Sequence, residues 1–388
     1  MPVSKPLITT KVPFGQNFLA SEEVPEGAYK GVSLEIEGAG RGAAKFDNAT
    51  GLDVKIPANW ELKEGESRCL FLTWDVQASL REGAFRPVLY AMPQERPLRG
   101  ETLYVTCDEI NTLFVIRTDT NRVVASLATK ESPKEMATFP RSDRLYVLCE
   151  GSRSLLSIEL STFRVIDSLV LPMVLRPRFL TMIDGRTLAI TDPPNDQIIL
   201  VAAASGSLLK SRRLGHRLMN VVYWKEGEQL FVSSTGEQKV YQLDRALRTV
   251  RAYDTGLRPR GIWAYKSWLY VADSGSGTVS LFNLRTGRLV GRVRSGREPI
   301  YILGTQRRLY ISNQGEGTLG ILWPGQMAIS KRIRVGGTPS MLAVCRVRRW
   351  VYAVDRAGKG IVVVNATSLK KVGSIVLGNL PYGIAIAR

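Results

Sequence analysis

The sequence predicts an all-β protein in which a small β-sandwich domain precedes a seven-bladed β-propeller closed by its own C-terminal strand. Two observations predict this architecture. Strand starts such as Leu103-Tyr104-Val105 and Leu269-Tyr270-Val271 recur about every 40 residues, seven times in all, with only strand patterns between them. The chain also ends on an apolar strand that has no blade of its own. Both features indicate a closed ring of small sheets.

We divide the chain into four segments. Residues 1–27 are polar and interrupted by four prolines, which predicts an extended N-terminal arm. Residues 28–94 contain about five short strands separated by turn residues, which predicts the small β-sandwich. A polar linker is expected at 95–102, and the propeller at 103–388.

Each blade is predicted from one repeated unit, for which residues 269–293 serve as the example. Three short strands are separated by turns at Asp273-Ser-Gly-Ser-Gly and Arg285-Thr-Gly-Arg. A further apolar strand precedes each later unit, and one ends the chain: residues 136–139, 179–183, 220–224, 261–265, 300–304, 341–345 and 382–387. Because the first unit lacks this strand, residues 382–387 are predicted to complete the first blade, which leaves no open sheet edge.

The repeats resemble the Tyr-Val-Thr-Asn type of propeller repeat. The strand motif occurs as Tyr104-Val105-Thr106-Cys107, Tyr270-Val271-Ala272-Asp273 and Tyr310-Ile311-Ser312-Asn313. Its companion Gly-x-x-Pro-x-Gly-Ile-Ala pattern occurs at residues 378–385 and, in part, at 256–263. The resemblance implies a propeller fold over residues 103–388. Propellers of this type serve surface-layer, scaffolding, binding and some enzymatic roles.

Residues 24–92 resemble the later half of a prokaryotic β-sandwich domain of unknown function. The resemblance lies in a Pro-x-Gly-x-Tyr strand entry at Pro25 to Tyr29 and in an ending at residues 70–89 that contains Asp75-Val76 and Pro87-Val88. Such domains occur in exported or lipid-anchored proteins, so the resemblance implies a surface or extracellular location.

The charge distribution favours anionic partners. The chain has 53 basic and 35 acidic residues, a net charge of +18. Residues 1–94 hold 10 of the basic and 12 of the acidic residues, so the positive excess belongs to the propeller. We expect the acidic sandwich to dock on the basic propeller, either within one chain or head-to-tail between copies of this chain, and a separate protein partner is the alternative. An acidic glycan is a further candidate partner, and we rank nucleic acid below it because no recognition motif accompanies the charges.

The N-terminus lacks a signal-peptide pattern, and no window approaches the length of a membrane span. We therefore expect no membrane insertion, and the sequence leaves the location of the protein open. The four cysteines are expected to be free, largely buried thiols. No pair of them has metal-ligand spacing and His216 is the only histidine, so we predict neither a metal site nor a cofactor.

Five arginines are the candidates for an anion site at the mouth of the central channel. They lie next to prolines in loops that enter the innermost strands: Arg176, Arg178, Arg258, Arg260 and Arg297. Acidic residues predicted on the same face offer the alternative that the arginines simply form ion pairs: Asp108, Glu135, Glu150 and Glu298. Four turn residues of this face either bond their own backbone or form a cation site: Asp192, Asp273, Asn313 and Asp355.

The opposite face of the propeller is predicted to be basic. Its hairpins carry several arginines with few acidic neighbours, among them Arg307, Arg308, Arg346, Arg348 and Arg349. Phosphate-binding loops, dinucleotide fingerprints and nucleophile elbows are absent from the sequence, and no catalytic residue is predicted.

These observations favour a non-enzymatic binding or scaffold protein that presents propeller faces for protein or glycan contacts in a surface, extracellular or virion-type assembly. One alternative is a propeller lactonase or hydrolase with a cation at the channel mouth. A second alternative is nucleic-acid binding through the basic propeller face.

Overall fold

The computed structural model describes residues 16, 18–20, 22, 24–36, 40–41, 44–45, 51–81, 84–92, 94, 100–140 and 142–387. These residues form two compact units, one made mainly of residues 21–96 and one that contains the repeats. No helix in this described part of the chain has the length and apolar character needed to span a bilayer. The predicted linker at 95–102 lies largely outside the described residues.

The N-terminal unit consists of paired antiparallel strands. Its longest pair joins β1 (Gly27–Ile36) to β4 (Leu52–Leu62). The shorter strands are β2 (Gly40–Arg41), β3 (Ala44–Lys45), β5 (Phe71–Trp74), β6 (Leu80–Arg81), β7 (Ala84–Phe85) and β8 (Leu89–Met92). They pair as β2 with β3, β5 with β8 and β6 with β7. The sandwich arrangement of residues 28–94 stays a prediction.

Two details of this unit differ from the sequence-based expectation. Strand β4 continues beyond residue 56, where the predicted strand ends, because a register shift opposite Pro57 accommodates the missing backbone N–H. One helical turn, α1 (Val76–Ser79), follows β5 and ends the expected strand early. Asp75 caps it, because its Oδ1 accepts a hydrogen bond from the Ala78 amide at 2.8 Å.

The repeat unit contains seven four-stranded antiparallel sheets, which we number as blades 1 to 7. Its strands are, in chain order, β9 (Thr102–Cys107), β10 (Thr112–Arg117), β11 (Arg122–Ala128), β12 (Pro133–Thr138), β13 (Arg144–Cys149), β14 (Ser154–Glu159), β15 (Arg164–Val170), β16 (Phe179–Met182), β17 (Thr187–Asp192), β18 (Gln197–Ala202), β19 (Leu208–Arg213), β20 (Leu218–Trp224), β21 (Gln229–Ser234), β22 (Lys239–Leu243), β23 (Thr249–Asp254), β24 (Pro259–Tyr265), β25 (Trp268–Asp273), β26 (Thr278–Asn283), β27 (Leu289–Arg294), β28 (Pro299–Gly304), β29 (Leu309–Asn313), β30 (Thr318–Leu322), β31 (Ile329–Arg334), β32 (Pro339–Cys345), β33 (Trp350–Asp355), β34 (Gly360–Asn365), β35 (Lys370–Val376) and β36 (Pro381–Ala387).

Blade 1 confirms the predicted ring closure. It has the strand order β36-β9-β10-β11, whereas blades 2 to 7 each use four consecutive strands, from β12–β15 to β32–β35. In the closing pair, Ile384 lies opposite Val105 and Ala387 opposite Thr102. The innermost strand of blade 1 is therefore the last strand of the chain, and the predicted seven-bladed propeller is confirmed.

The burial pattern explains why each blade needs neighbours. All six residues of β9 are buried, on both faces of the sheet, whereas the outer strand β15 is almost entirely exposed. Buried side chains of adjacent blades join in shared clusters; Tyr146 and Leu148 of blade 2 pack with Leu188 and Ile190 of blade 3. A blade cannot cover both apolar faces alone, and the ring supplies the cover on each side.

Removal of residues 381–388 is expected to abolish cooperative folding of the propeller. Strand β9 would then present an unpaired inner edge, and unpaired edges promote association. Circular dichroism melting and size-exclusion chromatography of the truncated chain measure both effects. Tyr382→Phe, which keeps the β36 backbone pairing, serves as the control. A truncated monomer that melts at the wild-type temperature would disprove this role of β36.

Candidate functional site

The loops that enter the innermost strands bring polar side chains from several blades together. Most of these strands begin at or just after a proline, and the next one or two residues carry the groups of interest. We call the following set the mouth cluster: Lys134 and Glu135 of blade 2, Arg178 of blade 3, Arg260 of blade 5, Tyr301 of blade 6 and Tyr382 of blade 1.

Electrostatic interactions link the members of the mouth cluster. The Lys134 ammonium lies 4.5 Å from the centre of the Tyr382 ring. The charges of Arg178, Arg260 and Glu135 all act on the pKa of Tyr382. Glu135 also raises the pKa of Tyr301, although burial is the larger cause. Side chains that are far apart in sequence are therefore close in space at the channel mouth.

Hydroxyl groups on second strands position the backbone of the mouth cluster. Thr106 Oγ1 in blade 1 donates to the carbonyl oxygen of Lys134 in blade 2 at 2.7 Å. Ser233 Oγ in blade 4 donates to the carbonyl oxygen of Arg260 in blade 5 at 2.9 Å. Both hydroxyls lie in buried residues and reach across a blade boundary. They fix the start of the next innermost strand and hence the origin of its functional side chain.

Glycine at position 383 is required for the closest approach in the mouth. A Cβ atom there would lie 2.0 Å from the carbonyl oxygen of Lys134, a distance that no side chain tolerates. The Gly383 amide instead donates to Thr106 Oγ1 at 2.8 Å. The same hydroxyl thus joins the closing strand to blade 2.

Part of the predicted arginine set forms ion pairs. Glu150, whose side chain is 4% exposed, contacts Arg178 NH2 at 3.0 Å and Arg176 Nε at 3.4 Å. Lys134 Nζ lies 2.6 Å from Asp108 Oδ2 and 3.4 Å from Glu150 Oε2. The alternative that acidic neighbours pair with the arginines therefore applies to these two arginines.

The Asp108 carboxylate has a second cationic neighbour. Arg356 NH1 lies 3.4 Å from its Oδ1 and 3.0 Å from the carbonyl oxygen of Pro381. Four cations, Lys134, Arg176, Arg178 and Arg356, thus share the two carboxylates of Asp108 and Glu150. The network keeps a positive excess.

Arg260 differs from Arg178. Among the residues that the structure describes, no carboxylate forms an ion pair with its half-buried guanidinium. Burial is the main cause that lowers the pKa of Arg260, and the charges of Arg258 and Arg178 act in the same direction. An anion bound beside Arg260 would offset this cost, because an opposite charge stabilises the protonated form. Arg258 and Arg297 lie on the exposed rim.

Glu135 is the titratable group that sequence analysis treated only as a possible ion-pair partner. It is 9% exposed, and its Oε2 accepts a hydrogen bond from the Leu180 amide at 3.1 Å. Burial raises its pKa to about 8. Burial likewise raises the pKa of Tyr382 to about 12, so the phenol stays protonated. A carboxyl group with a pKa near neutrality can accept or donate a proton under physiological conditions.

The four turn residues considered for a cation do not fit that role. Each lies in a different blade and accepts a hydrogen bond from its own blade or from the loop that enters it: Asp192 accepts from the Arg176 amide at 2.8 Å, and Asp355 from the Thr338 amide at 2.9 Å. Asp273 accepts from Ser280 Oγ at 2.6 Å, and Asn313 from Ser295 Oγ at 2.8 Å. Across the described ranges, no group of three or more His, Cys, Asp and Glu side chains is arranged to hold a metal ion.

The remaining sequence candidates lie elsewhere. Arg307 and Arg308 belong to the hairpin between β28 and β29, and Arg346, Arg348 and Arg349 to the hairpin between β32 and β33. These hairpins are at the ends of the blades opposite the mouth cluster. All four cysteines are free; Cys69 is partly exposed and the other three are buried. His216 is exposed and its Nδ1 lies 2.9 Å from Asp196 Oδ2.

Comparisons with known proteins show the fold. No protein-family model and no curated protein matches the chain. A functionally unknown protein from Desulfotomaculum acetoxidans is similar with a TM-score of 0.65 at 13% identity, over 74% of this chain and 99% of that one. The periplasmic gluconolactonase of Pseudomonas aeruginosa is similar with a TM-score of 0.63 at 17% identity, over 74% of this chain and 99% of that one. A provisionally assigned 6-phosphogluconolactonase from Bacteroides fragilis is similar with a TM-score of 0.63 at 15% identity, over 74% of this chain and 98% of that one.

These similarities correct the prediction that the protein is not an enzyme. That prediction is wrong, because two of the similar propellers are described as lactonases. Its premises were the lack of catalytic groups and the charge split between the domains, but the mouth cluster collects its groups from five blades and so leaves no local motif. The repeat type and the N-terminal domain that the sequence resembles are not identified by these comparisons, and both stay predictions.

Ser233→Ala is expected to lower the free energy of unfolding by about 1–2 kcal/mol, because the buried carbonyl oxygen of Arg260 loses its donor. Urea unfolding measures the change. Ser233→Thr retains a hydroxyl and serves as the matched control, with a smaller loss expected. Equal stability of Ser233→Ala and wild type would show that the bond does not hold the Arg260 backbone.

Glu135→Gln is expected to change how stability depends on pH. The pKa of Glu135 rises from 4.5 to about 8 on folding, so the folded state binds more protons between these values. The stability that the neutral acid contributes is fully present below its pKa in the unfolded state. It is lost as the pH rises through about 8, its pKa in the folded state. The free energy of unfolding of the wild type should therefore fall by up to several kcal/mol between about pH 5 and about pH 9. That of the glutamine variant should not show this fall.

Urea unfolding at both pH values measures the difference between wild type and Glu135→Gln. Glu226→Gln, an exposed substitution in the hairpin between β20 and β21, is the control and should track wild type. Identical pH dependence of Glu135→Gln and wild type would contradict a buried carboxyl with a raised pKa.

Proposed function

We propose that the protein is a hydrolase of cyclic esters (lactones) and that the mouth cluster is its active site. The observation that carries this proposal is the half-buried Arg260 guanidinium, without a carboxylate ion pair in the described part of the chain, in the same cluster as the buried acid Glu135. Both groups act on the pKa of Tyr382, so both lie within electrostatic range of that phenol. The lactonase descriptions of two similar propellers support the choice of reaction class.

Lactone hydrolysis requires three things of an active site. A water must lose a proton as its oxygen attacks the carbonyl carbon, the resulting oxyanion must be stabilised, and the ring oxygen must gain a proton as the C–O bond breaks. Glu135 in its carboxylate form takes the proton from water and, as the acid so formed, returns it to the ring oxygen. Atoms and charge therefore balance without any further reactant.

Arg260 and Arg178 supply the electrostatic part. A guanidinium presents several N–H donors in a fixed plane, which suits an oxyanion or a carboxylate of the substrate. The phenol of Tyr382, whose pKa is raised to about 12, remains a hydrogen-bond donor through the catalytic pH range. The mechanism uses no cation at Asp192, Asp273, Asn313 or Asp355, because these side chains already accept hydrogen bonds from neighbouring backbone amides and hydroxyl groups.

The proposal also bears on substrate and location. An excess of cations at the mouth favours lactones that carry hydroxyl groups or a negative charge over purely apolar ones. The Pseudomonas aeruginosa protein is described as periplasmic, which supports an exported location for this chain as well. Both points are part of the proposal.

Hydrolysis of glucono-1,5-lactone by the purified protein, followed by acid release and corrected for the spontaneous rate, tests the proposal. We expect kcat/KM to rise as the pH passes through about 8, because the carboxylate of Glu135 is the active form. Arg260→Gln should lower kcat/KM by about 10²–10³-fold and Glu135→Gln by about 10²–10⁴-fold.

Two substitutions on the opposite face, Arg288→Gln and Glu226→Gln, are the matched controls and should leave the rate unchanged. A protein that does not exceed the spontaneous rate with glucono-1,5-lactone or its 6-phosphate would refute the proposal. Unchanged rates in both mouth variants would move the activity away from the mouth cluster.

A further inference from the structure

One hairpin of blade 6 departs from the pattern of its neighbours. In blades 5 and 7 the third strand ends on Asn283 or Asn365, whose side-chain oxygen accepts hydrogen bonds from its own turn: Arg285 N at 2.9 Å and Thr367 N at 2.9 Å. The same register position in blade 6 holds Trp323. Tryptophan cannot accept such bonds, and its side chain is 43% exposed. The asparagine that caps the turn in both neighbouring blades is thus replaced here without a gain in burial, which is typical of functional positions.

Trp323 forms one wall of an open groove. The groove has a volume of about 690 Å³ and is lined by polar side chains as well as the indole, including Gln306, Arg307, Gln326 and Ser330. The turn that follows Trp323 is fixed in position, because the Gly325 amide donates to the Tyr270 hydroxyl at 2.7 Å. An exposed ring beside amide and hydroxyl groups can bind the apolar face of a ligand and its polar edge together.

Arg308 holds the indole in place. Its guanidinium lies 5.1 Å from the centre of the Trp323 ring, and its NH1 donates to the carbonyl oxygen of Ala366 in blade 7. The ring is thus supported from one side by a residue that is itself anchored across a blade boundary. Little conformational entropy would be lost when a ligand stacks on the indole.

The groove lies within a run of positive charge. Arg307 flanks it, and the adjacent hairpin of blade 7 presents the exposed residues Arg346, Arg348 and Arg349. None of these arginines forms an ion pair with a carboxylate of the described residues. Several guanidinium groups without an ion pair, on the hairpins that carry and adjoin the groove, favour an elongated ligand with repeated negative charges.

We propose that the Trp323 groove and the arginines of blade 7 form a binding site for an acidic polysaccharide, such as a chain of uronic acid units. One sugar ring stacks its C–H face on the electron-rich face of Trp323, and carboxylates of neighbouring units bind Arg307 and the blade 7 arginines. A single-stranded nucleic acid fits less well, because such sites stack successive bases on several aromatic side chains and this groove offers Trp323 alone.

Calorimetric titration of the full chain with an oligogalacturonate, a neutral maltooligosaccharide and a poly-dT oligonucleotide tests the site. We expect measurable binding of the oligogalacturonate at low salt, weakening as salt increases, and no binding of the neutral sugar. Trp323→Asn restores the residue type of blades 5 and 7, so the variant is expected to fold, and its affinity should fall about 10-fold.

Arg307→Gln should weaken binding of the oligogalacturonate and reduce its salt dependence. Lys266→Gln, which removes one positive charge from a hairpin of blade 5, is the matched control and should bind as wild type does. Absence of oligogalacturonate binding, or equal binding by Trp323→Asn and wild type, would overturn the proposal. Tighter binding of poly-dT than of the oligogalacturonate would overturn the ligand class. None of these outcomes depends on whether the mouth cluster hydrolyses lactones.

Discussion

Backbone pairing between the two ends of the repeat region is the constraint on which the propeller depends. Strand β36 pairs with β9 from Pro381 opposite Cys107 to Ala387 opposite Thr102. This pairing closes the ring, so each blade has a neighbour on both sides. Both faces of its second strand can therefore be buried. It also places Tyr382 and Gly383 directly beside Lys134. Stability of the ring and geometry of the mouth therefore have the same origin.

A ring of this kind can hold charges that an ordinary core would exclude. Buried ionic groups are costly unless they are paired and hydrogen-bonded. Glu150 meets this condition through three cations, and Glu135 meets it by remaining protonated below about pH 8. Arg260 meets it least among the described members of the mouth cluster. A half-buried cation without an ion pair, grouped with a neutral acid around one phenol, is poorly suited to stability alone and well suited to binding an anion or an oxyanion.

The sequence allowed the ring to be predicted because its information is local and repeated. Each strand start carries the same apolar pattern about every 40 residues, and the absent first strand requires closure by the last. The prolines before Arg178 and Arg260 likewise place these side chains at the mouth. By contrast, the burial of Glu135 depends on contacts with other blades, including the Leu180 amide. Neither periodicity nor composition carries that information.

Deviations between repeats were the signal that sequence analysis underused. Copies of one unit show what a position needs for folding, so a residue that breaks the pattern stands out against its equivalents in other blades. Trp323 replaces an asparagine that caps its own turn in blades 5 and 7. Glu135 lies within innermost strand β12, at a position that holds the apolar residues Phe179 and Met341 in blades 3 and 7. Catalytic motifs are local patterns, whereas a propeller collects its functional groups from several repeats. The absence of a motif therefore says little about a propeller, and the exceptions to its repeat say more.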